Sequence, residues 1–308
     1  MFNKTIKMTF KQVLVQFIPP FLLTINRKLR KLGRKKISEY TIGSHKIVIP
    51  ANYCLPEFQN KYKLYDRFLP VLAKYLNTTG SIIDVGANIG DTTVSIAQNC
   101  KSPILCVEPS DQFLPFLKKN VNLINRKENN RVKIINSFAG TGLFSGEIEH
   151  SPWGTATLNI EVEKKNTHSS LDSLVANDST VSLIKVDTDG FDFDVLNSAK
   201  NIIQSSEPIL FWENQMFKEF QLNGYNKLYE LLTKYGYLYI YVFDNYGNLM
   251  LEETDFKTLK NLNSYIFSME KYKCTRSLYY TDILASTKKN HLITKNAIKE
   301  YKEEFVSK

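Results

Sequence analysis

The sequence predicts an α/β protein built on a doubly wound, mostly parallel sheet with helices on both faces. Two observations carry that expectation. Short apolar runs alternate with helical spacing from residue 81 to residue 286. Glycines and carboxylates crowd just after those runs, where a parallel sheet opens its ligand crevice. At 308 residues and 43% hydrophobic, the chain is long and apolar enough for one large core.

The elements follow in order. YTIGSHKIVIPANY (40–53) alternates and is rich in β-formers, so it reads as a strand pair. LYDRFLPVLAKYL (64–76) spaces Leu64, Phe68, Leu69, Leu72 and Leu76 as a helix does. SIIDVG (81–86) is a buried strand, and a helix starts at Asp91 and runs to Gln98. PILCVEP (103–109) is the second strand, followed from Asp111 by a helix that turns Phe113, Phe116, Leu117 and Val121 inward. VKIIN (132–136) is the third. After a looser stretch rich in Gly, Ser and Thr (139–159), SLIKVD (182–187) precedes a helix burying Val195, Leu196, Ala199, Ile202 and Ile203. PILFWEN (208–214) precedes a helix near 224–235, YLYIYVFD (237–244) and LYYTDILAS (278–286) are the last strands, and ITKNAIKEYKEEFV is a terminal helix. The organisation expected is an arm (1–39), a main domain (40–288) and a C-terminal helix (289–308).

Charge is unevenly placed. Residues 1–36 hold ten Lys and Arg and no acid, which leaves 30 basic and 31 acidic residues elsewhere. A near-neutral body does not call for a basic groove, and no nucleic-acid partner is expected. The arm also carries VLVQFIPPFLLTI (13–25), too short to span a bilayer and interrupted by Pro19-Pro20. Two readings stay open: a helix packed on the main domain, or peripheral docking on an anionic membrane surface. The chain is expected to be cytoplasmic, peripheral on the inner membrane face if the arm docks. Four cysteines without a CxxC pair fit a reducing compartment.

The first strand ends in DVGANIGD (84–91). Gly86 and Gly90 allow a tight turn and close backbone approach to a ligand, and the next helix points its amides at it. Asn88 breaks the dinucleotide pattern G-x-G-x-x-G, and no Gly-Lys-Ser/Thr follows as in a P-loop. Glu108, after the second strand, can accept both hydrogen bonds of a ribose diol; alternatively it is an ordinary acid at a helix start.

DVGANIGDT, CVEPSDQFLPFLKKN, LIKVDTDGFDFDVL and PILFWEN, in this order, resemble the FkbM-type S-adenosylmethionine-dependent methyltransferases over residues 60–286. The resemblance implies a class I methyltransferase fold, Rossmann-like, with seven strands and the last one antiparallel. It implies methyl transfer from S-adenosylmethionine to a hydroxyl of a sugar, glycan, glycolipid precursor or other small metabolite. By position, Gly86, Asn88 and Gly90 would line the methionine part of the cofactor, Glu108 the ribose, and Phe138 and Ala139 the adenine, with Asp84 and Asp91 of the same turn as further cofactor-binding candidates. Asp189 departs from the glutamate that many members carry before the glycine.

Four aspartates, Asp187, Asp189, Asp192 and Asp194, crowd the fourth strand end. Their spacing does not suit a calcium loop. Asp189 is expected to cap the following helix, with Asp192 and Asp194 as solvated first-turn acids. Asp187 and Glu213-Asn214 end adjacent strands, and the trio would suit a hard divalent ion, Mg2+, that lowers the hydroxyl pKa. Alternatively Asp187 or Asp189 is the general base, or Glu213 merely pairs with Lys185. Asp187, Asp189 and Glu213 are thus the candidate catalytic residues. Trp153 reads either as an apolar wall for a sugar or as a hairpin residue, and His150 is the histidine nearest the rim. RNA methylation is weakened by the near-neutral body and the missing NPPY- or DPPY-type tetrapeptide; a non-catalytic, cofactor-binding member is the other alternative.

Overall fold

The computed structural model describes residues 37–306 except 52, 77–79, 127–129, 152–153, 161–167 and 176–178. The basic arm and Trp153 lie outside the described residues. A hairpin of β1 (Ile37–Ile42) and β2 (His45–Pro50) opens the fold, as the alternation predicts. β3 (Ser81–Val85), β4 (Ile104–Val107) and β5 (Val132–Ile135) follow. Two small ladders come next, β6 (Phe138–Ala139) with β9 (His168–Ser169), and the hairpin β7 (Glu147–His150) with β8 (Ala156–Asn159). β10 (Val181–Val186), β11 (Ile209–Asn214), β12 (Tyr239–Asp244), β13 (Leu249–Thr254) and β14 (Thr281–Ser286) complete the set.

The central sheet has the order β13-β12-β14-β11-β10-β3-β4-β5. β5, β4, β3, β10 and β11 run parallel, and β14 lies antiparallel between β11 and β12. The strand order reverses between β3 and β10, which puts the switch point at the carboxyl ends of those two strands. Seven strands match the expected sheet; β13 is an eighth, on the edge.

Of the elements that escape the sequence reading, two do so for clear physical reasons. β13 alternates half-buried and exposed residues and carries Glu252 and Glu253, so it lacks an apolar run. The helix Phe256–Lys271 buries Phe256, Leu259 and Ile266, but Asn263 interrupts its stripe. Asn263 is fully buried because its side chain bonds Tyr229 and Asn214. Boundaries shift as well. The expected helix 64–76 is only Phe68–Ala73, because Asp66 takes a left-handed φ of 59° just before it. The helix after β10 breaks at Ser198 and Ala199 into Asp192–Asn197 and Lys200–Ser206. The helix after β11 begins early, at Glu219, where Gln221 accepts the Phe217 and Lys218 amides.

Strand alternation sorts the core into two layers. Phe211, Tyr241 and Phe243 face one side with Phe68 and Tyr301; Trp212 and Val242 face the other with Tyr225, Tyr229 and Phe256. Among the described residues no helix is long and apolar enough to cross a membrane. The C-terminal helix His291–Tyr301 closes the first layer through Tyr301, whose ring meets Phe68 edge-on and whose hydroxyl donates to Gly247 O at 2.7 Å.

Tyr301→Ala is expected to cost about 3–5 kcal/mol in urea unfolding through the cavity it leaves, and Tyr301→Phe only about 1 kcal/mol. Equal losses would mean that the hydroxyl, not the ring, holds the helix.

Candidate active site

One cavity of about 420 Å³ opens at the carboxyl ends of β3, β4, β10 and β11 and at the amino end of the antiparallel β14. Its first wall is the turn after β3. Gly86 has φ 72°, and a Cβ there would sit 1.8 Å from Asp187 O, so only glycine lets the two strand ends approach this closely. Asn88, also left-handed at φ 50°, donates its backbone N–H to Glu108 at 2.8 Å. Ser110 N donates to the other Glu108 oxygen at 2.8 Å. The Asn88 side chain donates to Gly154 O at 2.9 Å, while its Oδ1 is buried without a partner. Asp91, Phe138 and Ala139 also line the cavity.

Two residues expected at the cofactor lie behind the wall instead. Asp84 is fully buried below the floor, where it accepts the Thr93 hydroxyl at 2.5 Å and pairs with Lys185 Nζ at 3.0 Å. Gly90, at φ 83°, faces the Leu117 side chain, 2.8 Å from where a Cβ would stand. Its freedom serves helix packing rather than ligand approach. Asp84 acts on the cavity only through Lys185, which lines it, donates to Gly86 O at 3.1 Å and reaches Asp187 at 3.7 Å. Burial would push the Lys185 amine down, but the Asp84 and Asp187 charges outweigh it and hold the pKa above its ordinary value.

The four aspartates after β10 separate into distinct jobs. Asp187 is about half exposed (51%) at the cavity floor. Asp189 does not cap the helix; it holds a left-handed turn at φ 51°, and burial, then the Asp187 charge, push its carboxyl well up. Asp192 and Asp194 are not solvated. The Asp192 carboxylate is fully buried and accepts from Thr188 N (3.1 Å), the Thr188 hydroxyl (2.8 Å) and Glu213 N (3.0 Å), which staples β10 to β11. Asp194 accepts from the Thr141 amide at 2.9 Å and from its hydroxyl.

Glu213 lines the cavity, and its Oε2 is buried without a hydrogen-bond partner. Burial, then the charges of Asp187, Asp189 and Asp192, raise its pKa well above normal. Lys185 does not neutralise it, being held by Asp84 and Asp187. Asn214 points the other way, as the next residue of a strand must. Its amide donates to Asn263 at 2.7 Å and Thr281 at 3.0 Å, and its oxygen accepts from Tyr229 at 2.7 Å. The expected metal trio Asp187, Glu213 and Asn214 therefore does not converge. No three His, Cys, Asp or Glu side chains among the described residues are placed to hold a metal ion. His150 lies beside Ser110, 2.8 Å from its hydroxyl, and stands edge-on to Phe113.

Sequence reasoning missed a second group. Asp282 of β14 stands in register opposite Glu213, and Asp66, Tyr65 and Tyr280 line the same end of the cavity. The signal for Asp282 was visible: a carboxylate inside the β-rich run LYYTDILAS. Nothing local marks Asp66, which the chain brings in from a turn.

Carboxylates crowded in and behind one cavity wall resist ionisation. Enclosure and neighbouring acids raise Asp66 to about 8; burial raises Asp91 to about 6, and Glu108 and Asp192 each to about 7. Each binds its proton more tightly folded than unfolded, where its pKa is about 4. The folded state therefore holds extra protons between about pH 4 and 8, and stability falls as pH rises through that window. The ligand-free chain is expected to melt higher at about pH 5.5 than at about pH 8. A flat or inverted profile would show that these acids are ionised without cost.

A family model described as the methyltransferase FkbM domain matches residues 84–239, just over half of the chain. Similar solved structures include an FkbM methyltransferase from Methylobacillus flagellatus KT (14% identity, TM-score 0.36), covering 75% of this chain and 58% of that one. A second is TYW2 from M. jannaschii in complex with AdoMet (11% identity, TM-score 0.44), covering 82% of this chain and 86% of that one. A third is a precorrin-6y C5,15-methyltransferase from Geobacter metallireducens GS-15 (13% identity, TM-score 0.36), covering 70% of this chain and 84% of that one. No curated protein matches the chain. With its motifs at the strand ends and the model spanning them, the chain belongs to the FkbM family of S-adenosylmethionine-dependent methyltransferases.

Proposed function

We propose that the protein methylates a hydroxyl group of a sugar, glycan, glycolipid precursor or related small metabolite, with Glu213 as the general base. The observation that carries this reading is the Glu213 carboxylate: buried, unpartnered at Oε2, and open to the cavity beside Asp187. Such an acid is poorly solvated and, once ionised, a strong acceptor for an acceptor proton.

The cavity's chemistry fits the cofactor. The partnerless Asn88 Oδ1 and the Glu108 carboxylate sit on adjacent strand ends, and acids surround the space where a cationic sulfonium would lie. In this reading Gly86, Asn88 and Asp91 hold the methionine part, Glu108 the ribose hydroxyls, and Phe138 with Ala139 the adenine. When bound, S-adenosylmethionine supplies an electrophilic methyl group. Asp187 orients the acceptor hydroxyl, with Lys185 fixing the carboxylate. Glu213 would take the proton of the acceptor hydroxyl, the methyl group passing from sulfur to that oxygen as the carbon–sulfur bond breaks and S-adenosylhomocysteine leaves. Asp189 shapes the turn between them.

Glu213→Gln is expected to lower transfer by about 10²–10⁴-fold, with S-adenosylhomocysteine affinity nearly unchanged. Asp187→Asn should likewise abolish transfer and spare cofactor binding. In wild type, kcat/KM should rise with pH as the raised Glu213 carboxyl ionises. Unchanged turnover in Glu213→Gln removes it as the base. Glu108→Ala should instead weaken cofactor binding by about 10–100-fold, the worth of a charged hydrogen-bonding partner.

The acceptor class is tested with methyl-labelled S-adenosylmethionine and a host extract, separated into soluble sugars, lipid-linked glycans and RNA. Label in a sugar or glycan fraction supports the reading; label in RNA alone overturns it. The arm's docking on membrane is a separate proposal, supported by its basic and apolar sequence. Deleting residues 1–36 should then abolish co-sedimentation with anionic vesicles.

A further inference from the structure

The far end of the cavity, beyond Glu213, is not absorbed by the transfer reading. Asp282 faces Glu213 directly across the antiparallel β11–β14 pair, and on its other side it faces Phe243 of β12. Like charges directly opposite on paired strands oppose folding. Asp66 reaches the same space from a left-handed turn at φ 59°, a conformation uncommon outside glycine. Tyr65 and Tyr280 stand among these acids. The group is electrostatically one unit. Burial, Asp187 and Asp66 raise Asp282; Asp66, burial and Asp187 raise Tyr65; and burial, Tyr65 and Glu213 raise Tyr280.

Among the described residues two cations are near, and neither balances it. Lys185 is held by Asp84 and Asp187, and Arg67 offsets only part of the Asp66 charge. An independent observation points to a ligand. Among the described residues, the buried side-chain atoms of the cavity wall left without a partner are Asn88 Oδ1, Glu213 Oε2 and Gln215 Oε1, all of them oxygen acceptors, and Gln215 Oε1 has no part in the transfer reading. Among the described residues the wall is short of donors and of positive charge.

We propose that this end of the cavity binds a protonated amine, so that the acceptor is an amino sugar or amino cyclitol whose ammonium group lies next to the hydroxyl to be methylated. The proposal rests on the transfer reading above and narrows its substrate class. Asp66 and Asp282 receive the ammonium N–H donors, and Tyr65 and Tyr280 present aromatic rings beside it. Glu213 is left to face the hydroxyl. A neutral polyol would satisfy the acceptors one at a time but bring no charge that lets these acids ionise together. A phosphorylated or carboxylated acceptor would add to it. A divalent ion is disfavoured because no three acid or imidazole side chains among the described residues converge on one point.

The test uses the 308-residue chain, with and without saturating S-adenosylhomocysteine. Glucosamine is titrated against glucose, and 2-deoxystreptamine against myo-inositol, by saturation-transfer NMR. The amine of each pair is expected to bind about ten-fold tighter or more, as charge-assisted hydrogen bonds would give. Asp282→Asn and Asp66→Asn should each erase that preference while S-adenosylhomocysteine affinity stays near wild type and melting stays at or above it, which shows that the fold survives. Equal binding of amine and neutral partner, no binding of either amine, or a preference that persists in either variant overturns the proposal. If S-adenosylhomocysteine itself does not bind, the transfer reading falls, while the amine preference is still read in its absence.

Discussion

A buried ion pair organises this protein's chemistry. Asp84 and Lys185 are neighbours in register on β3 and β10, the two strands that flank the switch point. Their contact at 3.0 Å joins the strands beneath the cavity, and the same ammonium reaches Gly86 O and Asp187. A buried pair adds little net stability over a well-packed apolar one, yet removing one partner leaves an uncompensated charge and costs about 3–5 kcal/mol. Its value here is positional. One cation fixes the carbonyl of the glycine turn and a carboxylate of the opposite wall at once. Thr93 adds a hydroxyl to the far side of Asp84, so that carboxylate is held from two elements.

The site as a whole runs against what a stable fold would choose. Asp66, Asn88 and Asp189 all adopt left-handed backbone, and all line the cavity. Glu213 and Asp282 confront each other across a strand pair. Strain and like charge gathered at one place mark a site kept for what it binds rather than for what it contributes to folding. The cost is carried by the two apolar layers. Trp212, Tyr225 and Tyr229 fill one of them, and Phe68, Phe243 and Tyr301 the other.

What the sequence revealed follows from the same geometry. Strand interiors were legible because β3, β4, β10 and β11 are buried on both faces and read as apolar runs. The glycine turn, Glu108, Asp187 and Glu213 were legible because each ends such a run. Partnerships across the sheet were not. Nothing near Lys185 in sequence tells that it faces Asp84, 101 positions earlier. Asp192 looked like a surface acid of a first turn until the neighbouring strand supplied the Glu213 amide. Asn214 looked like a rim ligand because sequence adjacency to Glu213 hides the alternation that sends it to the opposite layer. Asn263, as a buried polar residue, disguised an entire helix.

The added strand β13 has an effect away from the cavity. A sheet that stopped at β12 would expose a buried-type strand, and another chain could add to it. β13 instead presents Glu252 and Glu253, and the register slips along it, with Glu253 in a left-handed conformation. Lys302 and Lys295 of the C-terminal segment bond those two acids, so the rim is charged and tied down. The opposite edge, β5, is only four residues long. Both margins of the sheet are thus poor templates for strand addition, which protects a large, apolar-cored sheet from growing into aggregates.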